Sequence, residues 1–317
     1  MKTASRSNSV FPVQPTPVGP PLAILLGAVV LGLLPASSSG QSDDFNDGND
    51  LGWIRYDPIS STAYGPQATW SFPNGGCRIQ TAVSPNPALV GPGRAGSYRT
   101  NQYSDFYVAA DLINWNASVS QAFGLLGRTA DVGLGQTDGY ALTYQAASHN
   151  LNLTRFSNES PVTLPTGLDS VTFVPGHTYR LVFLGRGSAL EGRVYEWPDT
   201  LHPLIVITTT DATYPAGVCG LVMFDNSGGT MVTDATFDNY FASDVEPPRL
   251  TVSRASLSTV TVSWLLPAPG YQLQSAALLS AGAWTNVSPA LLTTNANLVS
   301  YSEAVSSGTT FFRVRRP

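Results

Sequence analysis

Between residues 44 and 243, short segments with the composition of β-strands alternate with turn signals. Residues 70–72, for example, lead through the Pro-Asn-Gly-Gly turn of residues 73–76 into residues 77–80, and a Gly-rich loop at 133–138 separates two further segments. About a dozen such segments with regularly spaced turns are typical of an all-β sandwich or jelly roll. Outside residues 22–34, no segment keeps apolar residues at helical spacing over several turns, so we predict an all-β fold.

The overall composition agrees with many strands and narrows the possible partners. Charged residues make up only 12% of the chain, while 29 glycines and 24 prolines supply turns. The net charge of −5 comes without a basic stripe, which argues against a nucleic-acid partner.

The N-terminal residues have the pattern of an export signal. Lys2 and Arg6 precede the apolar run 22–34, and small residues follow at 37–40. The run has 13 residues, well short of the about 20 residues that a bilayer-spanning helix needs. We therefore predict that residues 1–40 are a signal peptide, that no membrane insertion follows its cleavage, and that the protein is secreted or lies at the cell surface or in the periplasm. The long Pro-rich stretch at 11–21 leaves an uncleaved anchor as the alternative.

A linker is predicted at residues 244–248, Asp-Val-Glu-Pro-Pro, because adjacent prolines cannot join a strand ladder and they stiffen a short connection. Residues 250–314 hold several more short strand-like segments, enough for a small second sandwich. The predicted organisation is a signal peptide at 1–40, a large β domain at 41–244 and a small β domain at 245–317.

The chain has two cysteines, Cys77 and Cys219, both inside predicted strands. In an oxidising compartment an even pair is a disulfide candidate. Two buried free thiols that pack as small apolar groups are the equal alternative.

Several motifs follow one another in an order that is similar to a known family. They are Phe-Asn-Asp-Gly-Asn-Asp-Leu-Gly-Trp at 45–53, Asp-Phe-Tyr-Val-Ala-Ala-Asp at 105–111, Phe-Gly-Leu-Leu-Gly-Arg at 123–128, Gly-Tyr-Ala-Leu-Thr-Tyr at 139–144, Gly-Val-Cys-Gly-Leu at 217–221 and Thr-Phe-Asp-Asn at 236–239. This order resembles the concanavalin A-like (laminin-G-like) jelly roll, most closely the bacterial 3-keto-glycoside hydrolase-type domain. The resemblance implies the fold, but its motifs are mostly core and turn positions and say little about activity.

The C-terminal part resembles a fibronectin type III or immunoglobulin-like module. Residues 259–264 are similar to its second strand, with Trp264 as the core aromatic, and residues 270–274 are similar to its third. The predicted fold class is therefore all-β, a concanavalin A-like jelly-roll sandwich plus a small C-terminal immunoglobulin-like β-sandwich.

Catalytic signatures are weak. Laminarinase-like relatives of the jelly roll use Glu-x-Asp-x-x-Glu on one strand. Glu191 and Glu196 have the spacing of the two glutamates in this motif, but Arg193 stands where the motif has its aspartate. In addition, residues five apart on a regular strand point to opposite faces. There is no Gly-x-Ser-x-Gly motif, and three histidines offer little for a zinc site. We predict a module without catalysis; a hydrolase of 3-keto-glycoside or laminarinase-like type is the alternative, and a structural surface or matrix protein is the second.

Carbohydrate binding combines aromatic rings, which stack on sugar faces, with polar side chains that bond hydroxyl groups. Trp115 is flanked by two asparagines where a strand runs into a loop, so we expect it to be exposed; Trp197, before Pro198, is a further exposed candidate. Polar positions on the predicted strands could line one sheet face, although a solvated face without a ligand is the alternative. The candidate ligand-binding residues are Trp115, Arg128, Tyr144, Arg155, Arg180 and Arg193. The predicted function is a secreted module that binds a glycan or another extracellular polymer.

Calcium is the most credible ion in this sequence. Acidic and amide residues crowd positions 43–50, and Asp238 lies in the last strand of the predicted large sandwich, which we expect to pair with the first. Related sandwich modules pin such strands with a structural Ca²⁺ held by oxygen ligands. Asp43, Asp44 and Asp238 are the predicted ligands; a turn-rich segment without metal is the alternative.

Overall fold

Antiparallel β-strands form almost all the regular structure of the protein. The computed structural model describes residues 40–60, 65, 67–167, 169–256, 258–266, 268, 270–280, 282–304 and 309–316. Within these ranges no helix is both long and apolar enough to cross a membrane. The predicted signal peptide, apart from its last residue, lies outside the described residues.

The strands of the larger part are β1 (Gln41–Asp43), β2 (Ile54–Tyr56), β3 (Thr69–Ser71), β4 (Cys77–Gln80), β5 (Arg94–Tyr103), β6 (Phe106–Trp115), β7 (Gln121–Ala130), β8 (Asp138–Gln145), β9 (Asn150–Ser157), β10 (Ser160–Thr163), β11 (Tyr179–Arg186), β12 (Ala189–Glu196), β13 (Ile205–Thr210), β14 (Gly217–Asp225) and β15 (Asp234–Ser243). The C-terminal strands are β16 (Thr251–Ser256), β17 (Thr259–Leu265), β18 (Gln272–Ala276), β19 (Thr285–Asn286), β20 (Thr293–Asn295), β21 (Leu298–Ala304) and β22 (Phe311–Arg315). Short helical turns lie at Pro87–Val90, Pro73–Gly75 and Pro289–Leu291.

Two sheets build the larger part. The first has the order β13-β12-β11-β6-β15-β4-β3, with β1 also on β15, and the second has the order β10-β9-β8-β7-β14-β5-β2. Many neighbours are distant in sequence, as in a jelly roll, and the inner faces of both sheets share one apolar core. The predicted all-β jelly-roll class is confirmed.

The first strand pairs with the last strand of this sandwich, as the sequence predicted. Gln41 lies opposite Ala242 and Asp43 opposite Tyr240. Trp53 then packs edge-on against Tyr240 at 4.6 Å between ring centroids. The Asp-rich segment therefore closes one side of the core.

An aromatic stack occupies part of the core between the sheets. Tyr144 and Phe173 lie 3.8 Å apart with nearly parallel rings, and Tyr179 stacks on the other side of Phe173 at 4.1 Å. The Tyr144 hydroxyl accepts from the Phe173 N–H at 3.1 Å, and the Tyr179 hydroxyl accepts from Val174 N–H at 2.8 Å. Each buried phenol therefore has a partner for its polar end.

The disulfide candidate is wrong: Cys77 and Cys219 are buried free thiols. Cys77 lies on β4 of the first sheet and Cys219 on β14 of the second. Burial raises the pKa of both thiols to about 12.

The C-terminal strands form a third sheet, β16-β17-β21-β20, and a fourth, β19-β18-β22. Trp264, Val262 and Leu273 form the centre of a separate core, so the predicted core position of Trp264 is confirmed. All described strands belong to one compact unit. The division into domains at residue 245 and the immunoglobulin-like identity of this part stay predictions.

Candidate functional site

An open groove of 780 Å³ lies on the outer face of the first sheet, beside the segment that leads from β15 to β16. We call it the linker groove. Its lining residues are Gly40, Ser42, Tyr107, Arg180, Val182, Tyr195, Trp197, Thr200, Leu201, Phe241, Glu246, Pro247, Pro248, Arg249, Leu250, Tyr271, Val314, Arg315 and Arg316.

Strand alternation supplies the floor of the groove. On β11, Tyr179 and Leu181 enter the core, so Arg180 and Val182 between and after them face outward. Register places Arg180 opposite Tyr195 of β12. Tyr195 and Val182 belong to a small apolar cluster on this outer face. The floor is therefore apolar and aromatic, with a cation beside it.

Arg180 is held by a buried acid. Its Nη1 donates to Asp111 Oδ1 at 3.1 Å, and Asp111 Oδ2 accepts from the Asn239 side-chain amide at 3.0 Å. A buried carboxylate is stable only with such partners. Arg180 therefore stands at a fixed position on the groove floor.

Ion pairs fasten the linker to the sheet. Arg193 bonds Glu191 on its own strand, and its Nη1 donates to Glu246 of the linker at 2.7 Å. Arg186 also donates to Glu246, at 3.2 Å. Burial lowers the pKa of Arg193, but the hydrogen bonds with Glu246 and Glu191 outweigh it and raise the pKa. These bonds hold one wall of the groove against the sheet.

The side chains that could contact a ligand are an indole and guanidinium groups. Trp197 is 44% exposed, which confirms its predicted exposure. Arg249 lies over the Tyr195 ring at 5.1 Å, and Arg315 is exposed at the groove margin. An apolar ring beside planar cations can stack on a sugar and donate to its oxygens.

The predicted exposure of Trp115 is wrong. Its indole is 7% exposed and packs against Phe123, Phe173 and Tyr179, each at 6.1 Å. The pairing of β6 with β15 shifts register beyond Leu112, so that strand gains one extra residue before Trp115. A β-bulge of this kind reverses which face the following side chains occupy.

Arg128 and Tyr144 are also buried, so they do not line an exposed face. A register shift between Gly127 and Ala130, with a φ of 47° at Arg128, turns the guanidinium toward the core, where its Nε donates to Ser104 O at 2.5 Å. Tyr144 faces inward by regular alternation with Leu142. The sequence had suggested a surface position for Arg128 because it carries no sign of the bulge; Tyr144 required no bulge, and its phenol was misjudged as a polar surface group.

The remaining candidate residues divide between two places. Arg180 and Arg193 share the outer face of the first sheet, whereas Arg155 lies on β9 of the second sheet and donates to Asp211 at 2.7 Å. Of these three arginines, which the sequence suggested could line one sheet face, Arg180 and Arg193 share a face and Arg155 lies on the other sheet. Ligand binding by these three arginines stays a prediction.

The predicted calcium ligands do not form a ligand set. Asp43 accepts from the Phe45 N–H at 2.9 Å and from the Trp53 indole at 2.7 Å, which engages both oxygens. Asp44 caps a turn by accepting a hydrogen bond from the Asn46 N–H at 3.3 Å. Burial and the nearby carboxylates of Asp111 and Asp44 raise the pKa of Asp238. Across the described ranges, no three acidic, histidine or cysteine side chains converge on one point. Asp43, Asp44 and Asp238 are therefore not brought together as one set of carboxylate ligands, and calcium binding elsewhere in the protein stays a prediction.

The carboxylates weighed as a hydrolase pair have separate partners. Glu191 bonds Arg193, and Glu196 bonds His177. Among the described residues that line the linker groove, Glu246 supplies the one carboxylate. A retaining glycosidase needs two, about 5 Å apart.

A second cleft, of 560 Å³, lies on the outer face of the second sheet. Leu126, Phe156 and Val222 form an apolar floor, and the Gly-rich loop 133–137 forms part of its wall. Its central charges satisfy each other: Arg94 Nε donates to Glu159 at 2.9 Å, and Glu159 also accepts from Tyr56 and the Gly135 N–H. Hydrogen bonds from these groups outweigh burial and lower the pKa of Glu159.

Sequence reasoning missed Tyr195, Glu246 and Arg249. Alternation from Arg193 could have placed Tyr195 on the same face. Nothing local in the sequence brings Glu246 and Arg249 onto β12, because that contact joins segments far apart in the chain.

No protein-family model and no curated protein sequence matches this chain. Among solved structures, the carbohydrate-binding module CBM66 from Bacillus subtilis aligns with a TM-score of 0.44 and 16% identity, over 62% of this chain and 97% of that one. Lectin II from Ulex europaeus aligns with a TM-score of 0.42 and 12% identity, over 66% and 100%. The CBM2 module of the Lactobacillus casei BL23 phage J-1 evolved Dit aligns with a TM-score of 0.42 and 15% identity, over 66% and 98%. At this distance the alignments support no conclusion about the function of this chain.

Proposed function

We propose that the protein binds carbohydrate in the linker groove, without cleaving it, as an exported module. The observation that carries the proposal is the exposed indole of Trp197 in a groove that also presents the guanidinium groups of Arg180, Arg249 and Arg315. A sugar ring offers an apolar C–H face and a rim of hydroxyls, so it needs this pairing of ring and donors.

The size and rigidity of the groove also support the proposal. Its 780 Å³ lies within the range of about 300–1,000 Å³ that is usual for ligand sites. The bonds from Arg193 and Arg186 to Glu246 hold the wall in place before a ligand arrives. Binding then costs less conformational entropy than it would with a loose linker.

Affinity electrophoresis in gels that contain laminarin, xylan or polygalacturonate tests the proposal. We expect at least one polysaccharide to retard the protein, and Trp197→Ala to abolish most of that retardation. Trp70→Ala is the matched control, because it removes a half-buried indole that lies outside the groove and stacks under Arg55. Retardation that survives Trp197→Ala would overturn the proposal. So would the absence of both retardation in every gel and binding to any glycan on an array.

Absence of cleavage is a separate part of the proposal. Among the described residues that line the groove, Glu246 is the one carboxylate, whereas a retaining glycosidase needs a pair of carboxyl groups. We expect no sustained release of product from polysaccharides or 3-keto-glucosides. Steady turnover would instead favour a glycan-active hydrolase.

A further inference from the structure

The arginines around the linker groove differ in whether they have an acidic partner. Arg180 and Arg316 each pair with an aspartate. Arg249 and Arg315 also line the groove, and neither forms a salt bridge with any residue in the described part of the chain. Both are exposed, so two positive charges at the groove are free to meet a ligand.

Strand β22, which carries Arg315, places a further arginine without an acidic partner among the described residues on the fourth sheet. Phe312 and Val314 of β22 pack on the C-terminal core, so Arg313 and Arg315 share the opposite face. Arg313 also lacks an acidic partner among the described residues; its Nε donates to Gln274 Oε1 at 2.8 Å. Its guanidinium lies 4.1 Å from the Trp284 ring centroid.

Neutral amides surround this face. Register sets Gln272 opposite Arg315 and Gln274 opposite Arg313, and the Gln274 amide donates to Asn286 at 2.8 Å. A shallow depression of 220 Å³ is lined by Gln272, Gln274, Asn286 and Arg315. Arg315 lines both this depression and the linker groove, so the two surfaces are continuous.

We infer that Arg249, Arg315 and Arg313, the arginine track, select an acidic polysaccharide whose carboxylates repeat along the chain and whose length extends from the linker groove onto the fourth sheet. This inference rests on the proposed function and adds the class and length of its ligand. A guanidinium binds a carboxylate through two parallel hydrogen bonds, and Gln272 and Gln274 can bond the hydroxyls between.

The charges outside the arginine track affect where an acidic polysaccharide can bind. The protein carries a net charge of −5, so its long-range field as a whole repels a polyanion. The groove carboxylate, Glu246, is engaged by Arg193 and Arg186 and does not neutralise the track. An acidic chain therefore gains favourable charge contacts along this face.

Calorimetric titration with polygalacturonate and with the same polymer in fully methyl-esterified form tests the inference, because esterification removes the charge and keeps the backbone. We expect the acid form to bind at least tenfold more tightly at low salt. Arg249→Gln and Arg315→Gln should each weaken its binding by about threefold, as for an exposed ion pair. A higher NaCl concentration should weaken binding of the acid form by the wild-type protein more than binding by the variant that carries both Arg249→Gln and Arg315→Gln.

Arg254→Gln is the matched control, since it removes the same charge from an exposed strand, β16, which belongs to the third sheet, and Arg254 lines neither the linker groove nor the depression beside Arg315. It should leave the affinity unchanged. Oligogalacturonates should gain affinity with length until they reach the fourth sheet, and Gln274→Ala should affect only the long ones.

Several results would overturn the inference. Equal affinity for acid and ester forms would remove the charge selection and leave the carbohydrate-binding proposal standing. The arginine track would be refuted as the binding surface if Arg249→Gln and Arg315→Gln left the affinity for the acid form unchanged. The same holds if Arg254→Gln lowered that affinity as much as they do. Failure of every polysaccharide to bind would remove the proposed function itself.

Discussion

Replacing Trp115 with alanine is the sharpest test of the core, because the sequence suggested a surface role for this residue. The indole is 7% exposed and touches three aromatic neighbours. A buried tryptophan hides about 200 Å² of surface, which at roughly 25 cal/mol per Å² corresponds to about 5 kcal/mol. Core truncations of this kind cost about 3–5 kcal/mol. We therefore expect Trp115→Ala to lower the free energy of unfolding by about 4 kcal/mol.

Urea denaturation followed by circular dichroism measures this loss. The midpoint should fall while the slope m stays constant, since the same surface is exposed on unfolding. The melting temperature should fall by roughly 10 °C. Trp115→Phe keeps most of the ring contacts and should lose much less. Trp197→Ala, at a half-exposed position, is the second control and should reduce carbohydrate binding more than stability. A loss below about 1 kcal/mol for Trp115→Ala, with carbohydrate binding abolished, would refute the buried position.

Further predictions concern pH, the linker and the thiols. Because the pKa of Glu159 is lowered in the folded protein, its contribution to stability is complete above about pH 4.3 and is lost as the pH falls through the folded pKa. In Glu159→Gln, the free energy of unfolding, measured by urea denaturation at a series of pH values, should fall less steeply toward acid pH than in the wild-type protein. The same pH dependence in both proteins would contradict the prediction. Glu246→Ala should free the linker, and limited proteolysis should then cut near residue 246 faster than in the wild-type protein, whereas Glu303→Ala should not change the rate. Cys77 and Cys219 should react with a thiol reagent only on unfolding, with two thiols titrated in denaturant; a yield near zero there would indicate a disulfide.

Much of the fold follows from local patterns. A two-residue apolar period assigns Leu181 and Val182 to opposite faces, and turn residues separate the strands, so the all-β class can be predicted. The pairing of the first strand with the last strand of the larger part was also predicted, from the resemblance of the sequence motifs to a jelly roll, and the structure has it. Of the linker groove, the sequence suggested Arg180 and the exposed Trp197.

The rest of the groove depends on contacts between distant segments. Arg180 meets Asp111 because β11 lies next to β6, and Glu246 meets Arg193 because the linker crosses β12. No local periodicity encodes these neighbours, since strand order is decided by the packing of the whole sandwich.

What the sequence determines alone is therefore the strand content and, where strands are regular, the side each residue faces. The tertiary structure decides where that regularity breaks. The bulge before Trp115 sends the indole into the core, and the irregularity at Arg128 buries a guanidinium. The physical reason is that one extra residue in a strand reverses its faces, and only pairing with a neighbouring strand determines where that residue is inserted.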